Sequence, residues 1–308
     1  MKSKPILAVL FSTLVVVAVS WGAPRAAVAG EIFVSNSNGE VGEYTTSGAT
    51  VDAALFSGTP GPVAMSISEA DIFISGSGGH GTWVVAEYTT SGATVNASLV
   101  SLADRALGVA VSGGDLFASV SSGFPDGGTV SEYTTAGAPV NTSLVDDVPI
   151  AGAIVVSGSD LFLFTRVGTI GEYTTSGDVV NAALITGLGS TEGRIALSGS
   201  DLFVAVGTTI GEYTTSGAVV NASLITTPNA ITDIAVFGND IFVASGTTIS
   251  EYDTSGDVVN ASLITGLTNL AKIAVVPEPS SLVLLSIAAA GLAVAARRRR
   301  SPRERLRR

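Results

Sequence analysis

Short apolar runs alternate with small polar turn segments along the chain, and one unit of this pattern contains four successive strands. In that unit, Gly238-Asn239 and Thr254-Ser255-Gly256 have the composition of tight turns. The runs between and beside these turns predict four strands, which we name A to D in chain order: Ile231–Phe237, Asp240–Ser245, Thr247–Tyr252 and Val258–Ile264. Strands A and B are nearly continuous apolar runs, which indicates sheets that are covered on both faces.

The same unit recurs six times. A Glu-Tyr-Thr-Thr-Ser-Gly segment or a close variant of it starts at Glu43, Glu87, Glu132, Glu172, Glu212 and Glu251. Successive starts are 39 to 45 residues apart, which is the length of a four-stranded propeller blade. The sequence therefore predicts an all-β fold, a six-bladed β-propeller over residues 30–276.

The two ends of the repeat region predict how the propeller closes. Glu31–Val34 begins the region at a strand B, and Leu270–Val276 ends it at a strand A. We expect the last strand A to pair with the first strand B, because this closure leaves no exposed sheet edge between the termini. A right-handed β-helix is the alternative, although a coil of about 40 residues would be long for that fold. The repeats resemble those of bacterial propellers of the NHL and lactonase-like type.

The start of the chain has the features of a secretory signal peptide. Lys2 and Lys4 precede an apolar run over Ile6–Val19, and Ala27-Val28-Ala29 supplies the small residues of a cleavage site. We expect residues 1–29 to be removed by cleavage after Ala29.

The end of the chain combines a spacer, an apolar segment and a basic cluster. Pro277, Glu278 and Pro279 form an extended spacer, because proline neither continues a strand nor donates a backbone hydrogen bond. Residues 280–296 are apolar enough to predict a transmembrane helix. Arg297, Arg298, Arg299 and Arg300 follow it, and the positive-inside rule places this basic cluster in the cytoplasm.

This three-part pattern over residues 277–308 resembles the PEP-CTERM sorting signal of exported proteins in Gram-negative bacteria that make extracellular polysaccharide. The resemblance implies an exosortase-type sorting protease as a partner. It also implies that the C-terminal helix anchors the exported protein in the inner membrane, before the protein reaches the cell surface or extracellular matrix. A permanent membrane anchor without processing is the alternative, and the Pro-Glu-Pro spacer favours the sorting signal.

Charge and composition exclude several functions. Residues 30–276 contain 4 basic and 24 acidic side chains, which gives a formal charge of −20. Such a domain repels nucleic acid, so we expect no nucleic-acid partner. The chain has no cysteine and one histidine, His80, so it cannot form a Cys/His metal site. We predict no cofactor and no metal.

Residues that recur in every blade are expected to be structural, because a single site does not need six copies. The tyrosine of each Glu-Tyr pair should pack between blades. The recurring Asn and Asp residues suit side-chain bonds to the backbone of turns.

Departures from the repeat indicate a binding surface. In a four-stranded blade the D-to-A and B-to-C connections share one rim, and the two long insertions, Ser75–Thr82 and Ser121–Gly128, both fall on it. We call this side of the propeller the insertion rim. Its candidate binding residues are His80, Trp83, Arg105, Phe124, Asp126, Arg166, Arg194, Asp233 and Lys272.

Three of these residues share one position of strand A. Arg194, Asp233 and Lys272 each precede an Ile-Ala pair in three consecutive blades, so we expect them side by side at the mouth of the central channel, with Asp233 between two cations. One interpretation is an ion-paired plug that orders the mouth. The other is capture of an anion or a sugar acid by the two cations.

Catalytic motifs are weak in this sequence. It contains no Gly-x-Ser-x-Gly elbow and no phosphate-binding loop pattern, and no Ser-His-Asp arrangement forms with any specificity around His80. We therefore expect no enzymatic activity, and predict a surface or matrix protein that acts in binding or scaffolding within an extracellular polysaccharide layer. The polysaccharide rests on the family resemblance. The alternatives are a surface hydrolase or lyase with its site at the channel mouth, and a permanently membrane-anchored binding protein.

Overall fold

Six four-stranded antiparallel sheets make up the fold, with β24 beside β1 in the first sheet. The computed structural model describes residues 30–68, 70–123, 127–189 and 192–276. The strands are β1 (Glu31–Asn36), β2 (Glu40–Thr45), β3 (Thr50–Ser57), β4 (Gly61–Ser68), β5 (Asp71–Gly79), β6 (Thr82–Thr89), β7 (Thr94–Leu102), β8 (Arg105–Ser112), β9 (Asp115–Gly123), β10 (Gly127–Thr134), β11 (Pro139–Val148), β12 (Ala151–Ser157), β13 (Asp160–Thr165), β14 (Thr169–Thr174), β15 (Val179–Ile185), β16 (Gly193–Ser198), β17 (Asp201–Val206), β18 (Thr209–Thr214), β19 (Val219–Thr226), β20 (Ile231–Phe237), β21 (Asp240–Ser245), β22 (Thr248–Asp253), β23 (Val258–Ile264) and β24 (Leu270–Val275).

The predicted closure of the ring is confirmed. Ile32 pairs with Val275 and Val34 pairs with Ile273, so the last strand A joins the first strand B. The backbone N–H of Val276 then donates to the carbonyl of Glu31 at 3.0 Å. The inner strand β24 also packs against β4 and β20, so the six A strands surround one axis. The fold is a closed six-bladed β-propeller.

Strand bounds in the repeat follow the sequence pattern closely. In the sixth blade, strands A, B and D have the predicted limits, whereas strand C runs from Thr248 to Asp253, one residue later than predicted. The insertion of the second blade lengthens two strands of the insertion rim. In the second blade, β5 continues to Gly79 and β6 begins at Thr82, so the hairpin projects beyond the rim.

The core lies between adjacent blades. At one shared position, strand B of every blade carries a phenylalanine that is at most 1% exposed: Phe33, Phe73, Phe117, Phe162, Phe203 and Phe242. The six repeated tyrosines are buried with them, and Tyr88 stacks on Phe56 of the preceding blade with ring centroids 4.6 Å apart. Each such side chain contributes about 1.5–3 kcal/mol by burial. The tyrosines therefore pack between blades, as their repetition predicts.

A glycine after strand C brings neighbouring blades into close contact. Gly256 has φ +89, and a Cβ there would lie 2.8 Å from the carbonyl oxygen of Leu224 in the preceding blade. Gly217 approaches Leu184 in the same way, with 2.7 Å to its carbonyl oxygen. The repeated Ser-Gly pair thus combines a left-handed backbone with room for the next blade.

Several sequence predictions lie outside the described residues. They are the signal peptide over residues 1–29, the sorting motif Pro277, Glu278 and Pro279, the helix over residues 280–296, the basic cluster of Arg297 to Arg300, and the rim residues Phe124 and Asp126. Among the residues that are described, no helix is long and apolar enough to cross a membrane.

Candidate functional site

The six A strands form the inner ring of the propeller. At one level of this ring, three consecutive strands carry charged residues. Arg194, Asp233 and Lys272 stand opposite Ala205, Ala244 and Ser35 of their respective B strands, which is the same register position in all three blades. Two of the remaining blades have the small residues Ala64 and Gly108 at this register position, and in the third Ala153 lies in a bulge directly before Ile154. Three charged residues therefore lie on consecutive inner strands and face a half-ring without charge.

Arg194 is fixed by backbone carbonyls. Its Nε–H donates to the carbonyl of Thr232 at 2.9 Å, and Nη1 donates to the carbonyl of Gly193 at 3.0 Å. Thr232 is free to accept because it lies in a bulge, where the register skips from Ile231 to Asp233. These bonds hold the guanidinium at the inner ring, and its side chain stays 25% exposed.

Asp233 interacts with both neighbouring strands, but in different ways. Its Oδ1 lies 3.9 Å from Nε of Arg194. Its Oδ2 accepts the backbone N–H of Ile273 at 3.0 Å. The carboxylate therefore pairs with Arg194 and accepts a hydrogen bond from the backbone of β24. The donor on β24 is the N–H of Ile273 and not the ammonium of Lys272.

Lys272 is buried without a close counterion. It is 7% exposed. Within the described part of the chain, its ammonium has no carboxylate within 4.0 Å and no hydrogen-bond partner. Burial lowers the pKa of Lys272 from 10.5 to about 8. The Asp233 and Glu192 charges oppose this change, whereas Arg194 and Arg105 add to it. The inner strand on its other side, β4, carries Ala64 at this level and offers no carboxylate.

All four basic residues of the propeller line one cavity at the insertion rim, which we call the vestibule. The vestibule has a volume of about 360 Å³, and its lining includes Arg105, Arg166, Arg194 and Lys272 together with Glu192. Residues 30–276 contain no other lysine or arginine. A domain with 24 acidic side chains thus places its whole positive charge around one opening.

Two further contacts at the vestibule are weaker. Nη2 of Arg166 lies 3.6 Å from Oε1 of Glu192, and the two side chains are 33% and 64% exposed. Such an exposed pair contributes about 0–1 kcal/mol, so Arg166 stays accessible to a competing anion. The Arg105 guanidinium lies 5.8 Å from the centre of the Trp83 ring, a cation–π distance.

A second cavity, the central channel, continues from the vestibule along the axis. It has a volume of about 320 Å³ and is lined mainly by aliphatic residues of the six inner strands, with Asp233 at its charged level. The two cavities share Val63, Leu107, Ala153, Arg194 and Lys272. Arg194 and Lys272 therefore mark the boundary between a cationic opening and an aliphatic channel.

The structure separates the predicted rim residues into two groups. The four cations and Asp233 converge on the vestibule and the channel, and Trp83 joins them through Arg105. His80 does not line the vestibule, because it lies exposed at the tip of the β5–β6 hairpin with φ +51. Among the described residues, no group of three His, Cys, Asp or Glu side chains could hold a metal ion.

Sequence reasoning missed Glu192 and Thr232. Glu192 departs from the repeat, since it stands in a D-to-A connection just before Arg194, and that position could have indicated a rim contact. Nothing in the sequence marks Thr232 as a partner of Arg194. Its carbonyl is available because of a bulge, and the bulge is visible only in the pairing of β20 with β21.

Comparison with known proteins supports the fold and the export signal. Residues 275–300 match the family model of the PEP-CTERM protein-sorting motif. The chain is therefore an exported propeller protein with a C-terminal sorting signal, and the motif implies processing by an exosortase. No curated protein matches the chain.

Among solved structures, the chain is similar to several proteins at low identity. The crystal structure of RRP9 WD40 repeats aligns over 80% of each chain, with 14% identity and a TM-score of 0.53. A putative oxidoreductase (glucose dehydrogenase) from Thermus thermophilus aligns over 63% of this chain and 79% of its own, with 13% identity and a TM-score of 0.49. The computationally designed Ika8 protein aligns over 78% and 73%, with 13% identity and a TM-score of 0.44. The likeness to the RRP9 repeats shows the fold alone, and the NHL or lactonase-like subtype stays a prediction.

Proposed function

We propose that the protein is a non-enzymatic binding or scaffold protein of the cell surface or extracellular matrix, and that its vestibule binds the carboxylates of acidic polysaccharide. The observation that carries this proposal is the convergence of all four basic residues of the propeller on one cavity. Charges that served only solubility would be spread over the surface.

Electrostatics favours an anionic ligand at this opening. An anion is repelled by most of the domain, which has a formal charge of −20, and is attracted only where the cations lie. Arg105 and Arg166 are accessible, and a guanidinium binds a carboxylate through two parallel hydrogen bonds. Such a site selects a carboxylated sugar over a neutral one.

The size of the vestibule suits a terminal or protruding sugar unit. Its volume of about 360 Å³ is at the low end of the range for small-molecule sites. A long polymer would therefore insert one end or one substituent, with the rest of the glycan lying along the insertion rim.

The C-terminal signal gives the proposed route to this location. The anchor helix would hold the exported protein at the inner membrane until an exosortase-type protease acts. The processed propeller would then join the polysaccharide layer. If intact-mass analysis of surface material shows that residues 280–308 are still attached, a permanently anchored binding protein is favoured instead.

A binding comparison tests the proposed function. The full chain in mild detergent is titrated calorimetrically with trigalacturonate and with the neutral trisaccharide of galactose. We expect binding of the acidic sugar only, and at least a tenfold loss of affinity in the double variant Arg105→Ala, Arg166→Ala. Equal binding of both sugars, or unchanged affinity in the variant, would refute the proposal. Depolymerised product after incubation would favour the alternative, a surface hydrolase or lyase.

A further inference from the structure

We infer that Lys272 captures the carbonyl group of a bound anion as an imine, so that the vestibule is a reversible covalent site for carboxylates that carry an adjacent aldehyde or ketone. The inference rests on the proposed function, because the vestibule must first hold the anion. It adds a chemical step and a narrower ligand class.

The position of Lys272 makes its amine available to a ligand. Lys272 lines both the vestibule and the central channel, at the level where the two cavities meet. Its backbone is fixed in β24, where it pairs with Ser35. In the described ranges the side-chain nitrogen has neither a hydrogen-bond partner nor an ion pair within 4.0 Å. A fixed lysine without a partner is free to react with a group that enters from the vestibule.

The surroundings of Lys272 favour the nucleophilic neutral amine. Burial is the main cause that brings the pKa down to about 8, and the positive charges of Arg194 and Arg105 act in the same direction. Asp233 and Glu192 act in the opposite direction. Lysines in dry sites beside another cation are the type that forms Schiff bases with carbonyl compounds.

The neighbouring cations would place the reacting carbonyl. Arg194 is held by the carbonyls of Thr232 and Gly193 at the same level of the ring, one blade beyond Asp233. A carboxylate that binds Arg194 or Arg105 would bring an adjacent carbonyl carbon to the boundary where Lys272 lies. A ligand with both groups fits this arrangement better than a simple carboxylate.

Formation of the imine needs neither an oxidant nor a cofactor. The neutral amine nitrogen of Lys272 adds to the carbonyl carbon, and the carbonyl oxygen becomes the hydroxyl group of a carbinolamine. The hydroxyl group then leaves as water, with a proton lost from nitrogen, and a carbon–nitrogen double bond remains. Hydrolysis returns the free amine and the ligand.

Reductive trapping provides a direct test. The full chain in mild detergent is incubated with pyruvate and cyanoborohydride, and the tryptic peptides are analysed by mass spectrometry. Lys272 is the only lysine in residues 30–276, so its adduct is identified on its own tryptic peptide, with the added mass of pyruvic acid less one oxygen atom. Lactate, which lacks the carbonyl group, should give no adduct.

Variants at position 272 test whether Lys272 reacts faster than an ordinary exposed lysine. Lys272→Arg keeps the charge, and Lys272→Met keeps much of the volume, and both should abolish the adduct. A control variant carries Lys272→Arg with Val219→Lys, at a valine that is 62% exposed on the outer strand β19. At pH 7 the native lysine should be trapped at least about tenfold faster than this exposed lysine, because its neutral fraction is larger.

The trapping and displacement measurements together test whether Lys272 forms an imine. A fast adduct at Lys272 whose rate rises up to about pH 8 supports it. No adduct, or equal trapping of the exposed control lysine, overturns it. If pyruvate and lactate both displace trigalacturonate and no adduct forms, the imine is wrong and the proposed function stands. If trigalacturonate does not bind and no adduct forms, both proposals fail.

Discussion

The carboxylate of Asp233 accepts the backbone N–H of Ile273 at 3.0 Å, across the boundary between the sixth blade and the blade that closes the ring. The hydrogen bond joins the inner strands β20 and β24 at a place where no main-chain ladder connects them. Since β24 is the strand that seals the propeller, this side chain contributes to ring closure as well as to the charge of the channel.

Replacing Asp233 therefore tests the link between blades. Asp233→Ala leaves the Ile273 N–H without its acceptor and removes the anion beside Arg194, so we expect a loss of about 1–3 kcal/mol in the free energy of unfolding. Asp233→Asn keeps an acceptor oxygen and should lose less. Urea denaturation of the full chain measures both, and equal losses in the two variants would contradict this role of the hydrogen bond.

The repeated glycine after strand C, Gly256, can be compared with Gly238 in the turn after strand A by replacing each with alanine. Gly256 and Gly238 both have positive φ, but a Cβ would lie 2.8 Å from the Leu224 carbonyl oxygen at Gly256 and meet nothing within 4 Å at Gly238. We expect Gly238→Ala to cost about 1 kcal/mol, for the backbone conformation alone, and Gly256→Ala to cost at least about 1 kcal/mol more.

Thermal or urea unfolding of the two glycine variants decides this prediction. The larger effect at Gly256 follows from blade packing, so a Gly256→Ala protein as stable as Gly238→Ala would show that the blades are not in close contact there.

Lys272 should make stability depend on pH on the alkaline side. Its pKa is lowered to about 8 in the folded protein, so between about pH 8 and 10 the unfolded chain binds more protons than the folded one. The free energy of unfolding therefore rises with pH in this window, by up to about 3 kcal/mol. Above it, the raised pKa values of buried tyrosines such as Tyr88 and Tyr173 act in the opposite direction.

The control for this pH effect is Lys272→Met, which removes the titrating group. Its unfolding free energy should be nearly flat between pH 8 and 10 and exceed that of the native protein at pH 7. A native protein that loses stability throughout this window would contradict the burial of a charged Lys272.

The repeated glutamates should stabilise the propeller under mild acid. Burial is the first cause that raises the pKa of Glu212 and of its equivalents, and for Glu212 the charge of Asp201 adds to it. The same direction holds for the other five glutamates of the repeat: Glu43, Glu87, Glu132, Glu172 and Glu251. A raised folded pKa gives stability that is present at low pH and lost as pH rises through that pKa.

We therefore expect the melting temperature to increase as the pH falls from 7 towards about 4.5. Glu212→Gln removes one of these charges, so it should raise the melting temperature at pH 7 and reduce the gain on acidification. A steady decrease in melting temperature of the native protein over this range would show that other carboxylates dominate.

The sequence was sufficient for the fold because each local signal agrees with the others. The repeat length specifies the blade, and the unequal ends at Glu31 and Val275 specify the closure that the pairing of Ile32 with Val275 confirms. The level shared by Arg194, Asp233 and Lys272 also followed from alignment of the A strands, since equal register in a closed ring means equal height.

The pairing of the charged residues could not be predicted from the sequence. Whether Asp233 binds Arg194 or Lys272 depends on side-chain direction around the ring and on the bulge at Thr232. The accessible Arg166–Glu192 pair likewise depends on how two connections from different blades meet above the channel. Alignment gives the height of a residue in the ring, whereas its partner is decided by contacts between blades.

Single changes of charge around the vestibule test whether this opening binds carboxylates. The measurement is the calorimetric affinity of the full chain for trigalacturonate after substitutions that each change the net charge by one. Arg166→Ala should weaken binding, and Glu192→Gln should strengthen it, because Arg166 loses its competing partner at 3.6 Å. Asp52→Asn makes the same charge change as Glu192→Gln on the outer strand β3, where its oxygen accepts the N–H of Ala54.

We expect Asp52→Asn to leave the affinity unchanged. We expect opposite effects of Arg166→Ala and Glu192→Gln on the affinity for trigalacturonate, with no effect of Asp52→Asn. Equal effects of Glu192→Gln and Asp52→Asn would mean that net charge alone governs binding, and would contradict a carboxylate site at the vestibule.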